Sequence, residues 1–282
     1  MTDDLAISAR GIRKRYGATV AVDGVDLDVR RGEVFALLGP NGAGKTTTVE
    51  ILEGFRRPDE GEVRVLGVDP SAAGPDWKAR IGLVLQSTGE FEDLTVSEVL
   101  HHFARYYPHA DDPDAVMERV GLTGKARART QTLSGGQKRR LDVALGIIGQ
   151  PELLFLDEPT TGFDPEARLE FWDVIRDLSG AGTTILLTTH YLEEAEALAD
   201  RVGVIAAGRL VAVSTPTDLG DRAKAPATVH WRAPDGSWQS KETDAPTALV
   251  TELSERFGGE VPGLSVTRPT LEDVYLRMVG SR

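Results

Sequence analysis

An apolar run that ends directly in a glycine-rich loop constrains this chain more than any other feature of its sequence. Val34–Leu38 is continuously apolar, which is typical of a strand buried on both faces of a sheet. The loop that follows, Gly39–Thr46, fits the pattern G-x-x-x-x-G-K-[ST], and a helical pattern continues over Thr47–Glu53. A strand, loop and helix in this order form a P-loop, whose backbone N–H groups surround a phosphate. Lys45 then reaches the β- and γ-phosphate oxygens, and the Thr46 hydroxyl can ligate Mg²⁺.

A second apolar run ends in two carboxylates. Leu153–Leu156 is followed by Asp157 and Glu158. Ligands of α/β proteins bind beyond the carboxyl ends of parallel strands, so we expect both side chains to face the nucleotide. Asp157 would hold Mg²⁺, directly or through water, and Glu158 would orient an attacking water and accept its proton. Acidic doublets are usually helix caps or loop residues, and only the P-loop elsewhere in the chain favours the catalytic interpretation.

The order of strand and helix patterns predicts the fold class. Strands alternate with helices through most of the chain, which indicates an α/β fold of the P-loop NTPase type with a mostly parallel sheet. Alternation over Val25–Val29 indicates an antiparallel β-subdomain, and residues of about 87–149 form a helical subdomain. We expect a nucleotide-binding domain over residues 1–215 and a small C-terminal α+β accessory domain over residues 216–282.

Composition narrows the classes of partner. The 282 residues carry 32 Lys and Arg against 44 Asp and Glu, a formal net charge of −12. This balance disfavours nucleic acid as a partner, because phosphate backbones attract basic surfaces.

The chain has no cysteine, which excludes disulfides, thiolate metal sites and a catalytic thiol. No apolar stretch approaches the roughly 20 residues of a membrane span, and the N-terminus lacks the features of a signal peptide. We expect a cytoplasmic protein that reaches a membrane only through another protein.

A third motif, Leu133–Gln137, reads Leu-Ser-Gly-Gly-Gln just before a helical pattern. Ser134 can cap the helix, and the glycines leave its N–H groups accessible to a phosphate. Taken alone, these residues favour an ordinary loop and cap. Taken with the P-loop and the acidic strand end, the set resembles the ATPase subunit of ATP-binding-cassette (ABC) transporters, in the order and spacing of that family. The resemblance covers residues of about 7–213.

The resemblance implies further site residues. It assigns ATP contacts to the loop and to residues that match the family's adenine-stacking aromatic, Q-loop, signature and D-loop: Tyr16, Gly39, Pro40, Asn41, Gly42, Ala43, Gly44, Lys45, Thr46, Thr47, Gln86, Ser134, Gly135, Gly136, Gln137 and Asp164. Its catalytic set is Lys45, Glu158 and His190, the last matching the family's switch histidine. Its Mg²⁺ ligands are Thr46, Gln86 and Asp157. One departure is Phe163, where the family's D-loop commonly has Leu.

The resemblance also implies partners and a direction of transport. ABC ATPases form a head-to-tail dimer around ATP and drive a separate integral-membrane permease, so we expect a second ATPase subunit, most simply a homodimer, on the cytoplasmic face of the membrane. The segments Thr189–Glu196 and Arg268–Leu276 are similar to those of drug-exporter ATPases of the daunorubicin-resistance type. They predict export of a drug, antibiotic or other hydrophobic compound. An importer ATPase, a soluble ABC ATPase acting on DNA or ribosomes, and a non-catalytic nucleotide-gated regulator are the alternatives.

Overall fold

The computed structural model describes residues 4–84, 91 and 93–280. The chain divides into two compact units, Met1–Val213 and Ser214–Arg282. No helix in the described part of the chain is long and apolar enough to cross a membrane.

The elements are numbered in chain order. The β-strands of the described residues are β1 (Leu5–Tyr16), β2 (Thr19–Arg30), β3 (Val34–Leu38), β4 (Glu60–Val65), β5 (Ile81–Val84), β6 (Leu153–Asp157), β7 (Thr184–Thr189), β8 (Arg201–Ala206), β9 (Arg209–Ser214), β10 (Ala227–Arg232), β11 (Trp238–Thr243) and β12 (Ser265–Thr267). The α-helices of the same residues are α1 (Lys45–Leu52), α2 (Pro75–Lys78), α3 (Val96–Ala104), α4 (Pro113–Arg119), α5 (Gly135–Ile147), α6 (Pro165–Gly180), α7 (Leu192–Leu198), α8 (Pro246–Phe257) and α9 (Leu271–Gly280).

The central sheet of the first unit positions the site. Its order within the described residues is β5-β6-β7-β3-β8-β9, and β5, β6, β7, β3 and β8 pair in parallel. Every residue of β3 and of β7 is buried, as their continuous apolar runs predict. The register places Leu38 beside Thr189 and Asp157 beside Thr188. The P-loop, the acidic pair and His190 therefore leave the sheet at the same edge. The predicted fold class is confirmed.

The first unit also contains an antiparallel sheet of order β2-β1-β4. Its apolar side chains, such as Ile7, Leu27 and Val63, join Phe35 and Phe155 of the central sheet in one hydrophobic core. The alternation over Val25–Val29 indicated β2, but the sequence pattern gave no prediction of β1. Register shifts interrupt β1 at several points along its pairing with β2, and these irregularities remove the strict alternation that identifies a half-buried strand.

Helix α5 begins where the motif Leu133–Gln137 predicts, with Ser134 as its N-cap. The apolar face that the sequence pattern indicates, Leu141–Ile148, forms the later part of the same helix. Its far end lies against β5, where a Cβ on Gly82 would lie 2.2 Å from the carbonyl oxygen of Gly146. A side chain at Gly82 would therefore push the helix away from the sheet.

The second unit has its own small core. Among the described residues, its sheet has the order β11-β10-β12. Val229 of this sheet packs with Leu249 and Leu253 of α8 and with Val261. Strand β11 was missed by the sequence analysis, since nearly all of its residues are exposed and its sequence shows no apolar alternation.

Candidate active site

The P-loop joins the buried strand β3 to α1. Gly44 adopts φ +102°, and a Cβ there would lie 2.3 Å from the carbonyl oxygen of Ala21, so the loop requires glycine at this position. Gly44 is also the N-cap of α1, whose first turn, all of it within the described residues, carries no acidic side chain. The helix N-terminus thus keeps its partial positive charge for an external anion.

Lys45 is folded onto its own loop. Its Nζ donates to the carbonyl oxygens of Gly39 at 2.7 Å and Pro40 at 3.3 Å, and it lies 3.9 Å from Glu158 Oε1. The side chain is only 6% exposed. Burial lowers the pKa of Lys45 below its ordinary value, and the charges of Glu158 and Asp157 oppose that shift. The ammonium group therefore joins the P-loop to the acidic end of β6.

Glu158 lies between Lys45 and His190. Its Oε2 is 3.3 Å from His190 Nδ1, and its side chain is 14% exposed. The residue adopts φ +44°, a conformation that costs a non-glycine residue about 1–3 kcal/mol. Its backbone N–H donates to the carbonyl oxygen and to the hydroxyl of Thr188, both at 3.1 Å. The structure thus brings together all three residues of the predicted catalytic set.

Asp157 and Thr46 carry the oxygen atoms predicted to bind Mg²⁺. Asp157 Oδ1 accepts a hydrogen bond of 2.5 Å from the Thr188 hydroxyl, and Thr46 is exposed at the start of α1. Gln86, the third predicted ligand, lies outside the described residues. The described part of the chain has no group of three or more His, Cys, Asp or Glu side chains that could hold a metal. A hydroxyl and one carboxylate nevertheless fit Mg²⁺, which is commonly held by one or two carboxylates together with substrate phosphates.

The signature motif is the segment Leu133–Gln137, and its side chains bind the free backbone N–H groups at the start of α5. Ser134 Oγ accepts from the N–H of Gln137 at 3.3 Å, and the Gln137 side chain accepts from the N–H of Ser134 at 3.1 Å, which is a capping box. Asp164 is the N-cap of α6, and its side chain accepts from the N–H of Ala167 at 2.8 Å. These two helix ends line a cavity of about 300 Å³, none of whose lining residues belongs to the P-loop. Phe163, which differs from the family's Leu, packs edge-to-face on Phe171 with ring centroids 5.7 Å apart.

Tyr16 lies at the end of β1 and is 43% exposed. The guanidinium carbon of Arg56 lies 5.6 Å from the centre of its ring. The ring has an accessible surface, and adenine stacking on it stays a prediction.

Glu53, the C-cap residue of α1, carries no sequence motif that marks it as a candidate site residue. Burial, with added repulsion from Asp157 and Glu50, raises the pKa of Glu53 to about 8. The residue lines a largely apolar cavity of about 570 Å³ together with Leu83, Phe91 and other side chains. Its position in sequence gives no sign of this, because Glu53 follows α1 as an ordinary polar helix end.

The loop between β3 and α1, facing the carboxylates at the end of β6, defines a P-loop nucleotide hydrolase. The family model that matches residues 22–161 is that of the ABC transporter. The daunorubicin resistance ATP-binding protein DrrA3 of Streptomyces coeruleorubidus is 40% identical, over 98% of this chain and 96% of its own length. Nod factor export ATP-binding protein I of Ralstonia nicotianae is 40% identical, over 97% of this chain and 94% of its own.

A solved structure of an ABC transporter component has the same fold. The cbiO1 protein of Clostridium perfringens, part of the ABC transporter complex cbiONQ, superposes with a TM-score of 0.70 at 26% identity, over 76% of this chain and 90% of its own. The chain belongs to the ABC transporter family, as one of its nucleotide-binding, ATP-hydrolysing subunits. The resemblance stated from the motifs is therefore confirmed.

Proposed function

We propose that this chain hydrolyses ATP to drive export of a drug, antibiotic or other hydrophobic compound through a separate membrane permease. The observation that carries the proposal is the convergence of Lys45, Glu158 and His190 at one edge of the sheet. Similarity over nearly the whole chain to proteins named for daunorubicin resistance and for Nod factor export supports the direction of transport.

Each side chain of the proposed site has a distinct task. Lys45 would exchange the carbonyls of Gly39 and Pro40 for the phosphate oxygens of ATP, where a charged donor gains most. Glu158 would orient the attacking water and accept its proton, while His190 would hold the water and the γ-phosphate in line. When bound, Mg²⁺ would neutralise phosphate charge, held by Thr46, Asp157 and, from the family resemblance, Gln86. Tyr16 would stack on adenine.

A second ATPase subunit completes this proposed site. The signature residues Ser134–Gln137 line a cavity with Asp164 rather than with the P-loop. In a head-to-tail homodimer, the signature helix of one protomer would meet the γ-phosphate held by the P-loop of its partner. ATP would then favour the closed dimer, and hydrolysis would remove that preference, as a ligand-driven conformational change requires.

The proposed contact for the permease is the apolar cavity beside β5. Leu83, Phe91 and Phe103 contribute apolar lining, and Asp142 adds a carboxylate. Such a surface fits an apolar protein segment that carries a basic residue. Through this contact the subunit would be attached to the cytoplasmic face of the membrane. Direct docking of a chain with net charge −12 on anionic lipid is unfavourable.

An efflux assay tests the proposal. The chain is co-expressed with a multi-span membrane protein that co-purifies with it from membranes, and the cellular content of daunorubicin is followed by its fluorescence. We expect content to fall only when both proteins are present and to stay high when Lys45→Ala replaces the parent. Unchanged content with intact ATP turnover would reject this substrate class. Stimulation of ATP turnover by DNA or ribosomes, with none by the permease, would favour the soluble alternative.

A further inference from the structure

Arg139 is a buried charge on the helix that begins at the signature motif. It lies on α5, five residues beyond Ser134, and is 7% exposed. Its Nη2 donates to the carbonyl oxygen of Asp157 at 2.8 Å, and its Nε donates to that of Pro159 at 3.0 Å. One guanidinium therefore binds the backbone on both sides of Glu158.

Burying the charged guanidinium of Arg139 costs solvation free energy. Removing the guanidinium from water lowers the pKa of Arg139, and the charges of Asp142, Asp157 and Glu194 only oppose that shift. Asp142 Oδ2 lies 3.8 Å from Nη1 of Arg139. The guanidinium of Arg139 thus binds two backbone carbonyls and also faces the carboxylate of Asp142.

The backbone that Arg139 holds is the strained one. Glu158 has φ +44°, and such a conformation persists only where its surroundings hold it from several sides. Thr188 binds the N–H of Glu158, and Arg139 binds the carbonyls before and after it. The far end of α5 is fixed as well, through the close approach of Gly146 to Gly82.

We propose that Arg139 is a positioning residue for ATP hydrolysis, which holds Glu158 in its catalytic conformation and ties it to the signature helix of the same chain. The proposal rests on the role of Glu158 in the proposed function. Lys in place of Arg139 keeps the charge but cannot reach both carbonyls with a rigid fork. Glu158 would then leave its position by an ångström or less, enough to change the rate by about 10- to 100-fold.

The test is a double-mutant cycle on the full chain. ATP turnover is measured for the parent, Arg139→Lys, Glu158→Gln and the double variant, and ATP affinity is measured by calorimetry. We expect Arg139→Lys to lower kcat about 10- to 100-fold and to leave ATP affinity within about twofold. In the presence of Glu158→Gln, the same substitution should change turnover by less than about twofold, because its effect acts through Glu158.

Arg176→Lys is the matched control, because it makes the same change at an exposed ion pair with Asp173 on α6, and we expect parental kinetics from it. Equal losses from Arg139→Lys with and without Glu158→Gln, or a parallel loss of ATP affinity, would overturn the proposal. If Arg139→Lys does not fold, Arg139→Gln, which can still donate to one carbonyl, is taken through the same cycle. Parental turnover by Glu158→Gln alone would instead reject the catalytic role of Glu158 in the proposed function.

Discussion

The two halves of the proposed site are built in opposite ways. The P-loop half, Gly39–Thr46 with Asp157, Glu158 and His190, concentrates charge: Lys45 is buried at a lowered pKa, and Glu158 adopts φ +44°. The signature half, Ser134–Gln137 with Asp164, satisfies its exposed helix ends with its own side chains. Strain and shifted pKa values gather where chemistry occurs. The first half is therefore assembled within one chain, whereas the second is the surface that a partner would meet in the proposed dimer.

The largest expected effect tests the P-loop half. Glu158→Gln removes the proton acceptor but keeps the shape of the side chain, so we expect turnover to fall by about 10²- to 10⁴-fold. ATP binding should survive, and a nucleotide-bound dimer should accumulate in light-scattering measurements. Glu118→Gln, at an exposed position of α4, is the control and should match the parent. Parental turnover by Glu158→Gln would remove catalysis from this half of the site.

Gly135→Asp tests the signature half without disturbing the fold. A Cβ at Gly135 meets no other atom within 4 Å, and an acidic residue suits the first turn of a helix. A carboxylate facing the partner's γ-phosphate costs several kcal/mol, so we expect turnover to fall by about 100-fold or more. ATP affinity of the isolated chain should be unchanged by calorimetry, and Gly135→Ala should be far milder. Weaker ATP binding by the monomer would mean that the two halves meet within one chain.

Lys45→Ala addresses ATP binding by the P-loop half. Loss of a charge-assisted contact to phosphate is worth about 1.5–3 kcal/mol, so we expect ATP affinity to fall by about 10- to 100-fold. Lys125→Ala, at an exposed position, provides the control for charge alone. Calorimetry that finds equal affinities for parent and Lys45→Ala would contradict the assignment.

Sequence patterns predicted those parts of the fold and site in which local chemistry and final position coincide. The central strands are buried on both faces, so Val34–Leu38 and Leu153–Leu156 show as apolar runs, and Lys45 and Glu158 follow them in recognisable motifs. The irregular β1 and the exposed β11 leave no such pattern. Arg139, in the run Lys138-Arg139-Arg140, has the sequence of a solvent-facing basic cluster. Only the packing of α5 on the sheet buries it, and no local pattern records that packing.

Glu53, at the end of the helix that follows the P-loop, lowers the stability of the folded chain at high pH. Its pKa of about 8 in the folded chain exceeds the ordinary 4.5 because burial and the nearby Asp157 and Glu50 disfavour its charge. Between those two pH values the unfolded chain has lost a proton that the folded chain keeps, so stability falls as pH rises and levels off above the folded pKa. We expect Glu53→Gln to stabilise the protein by about 3–4 kcal/mol more at pH 9 than at pH 5. Equal gains in urea unfolding at both pH values would contradict the shift.

The smallest expected effect separates a helix cap from a nucleotide contact on the signature half. Ser134 and Thr95 cap α5 and α3 with the same capping box. Replacing either residue with Ala should lower the free energy of unfolding by about 1 kcal/mol, measured by urea denaturation. Only Ser134→Ala should also lower ATP turnover, because only that helix end would meet a phosphate in the dimer. Equal turnover by the two variants would reduce Ser134 to an ordinary cap, the interpretation that its own residues favour when they are taken alone.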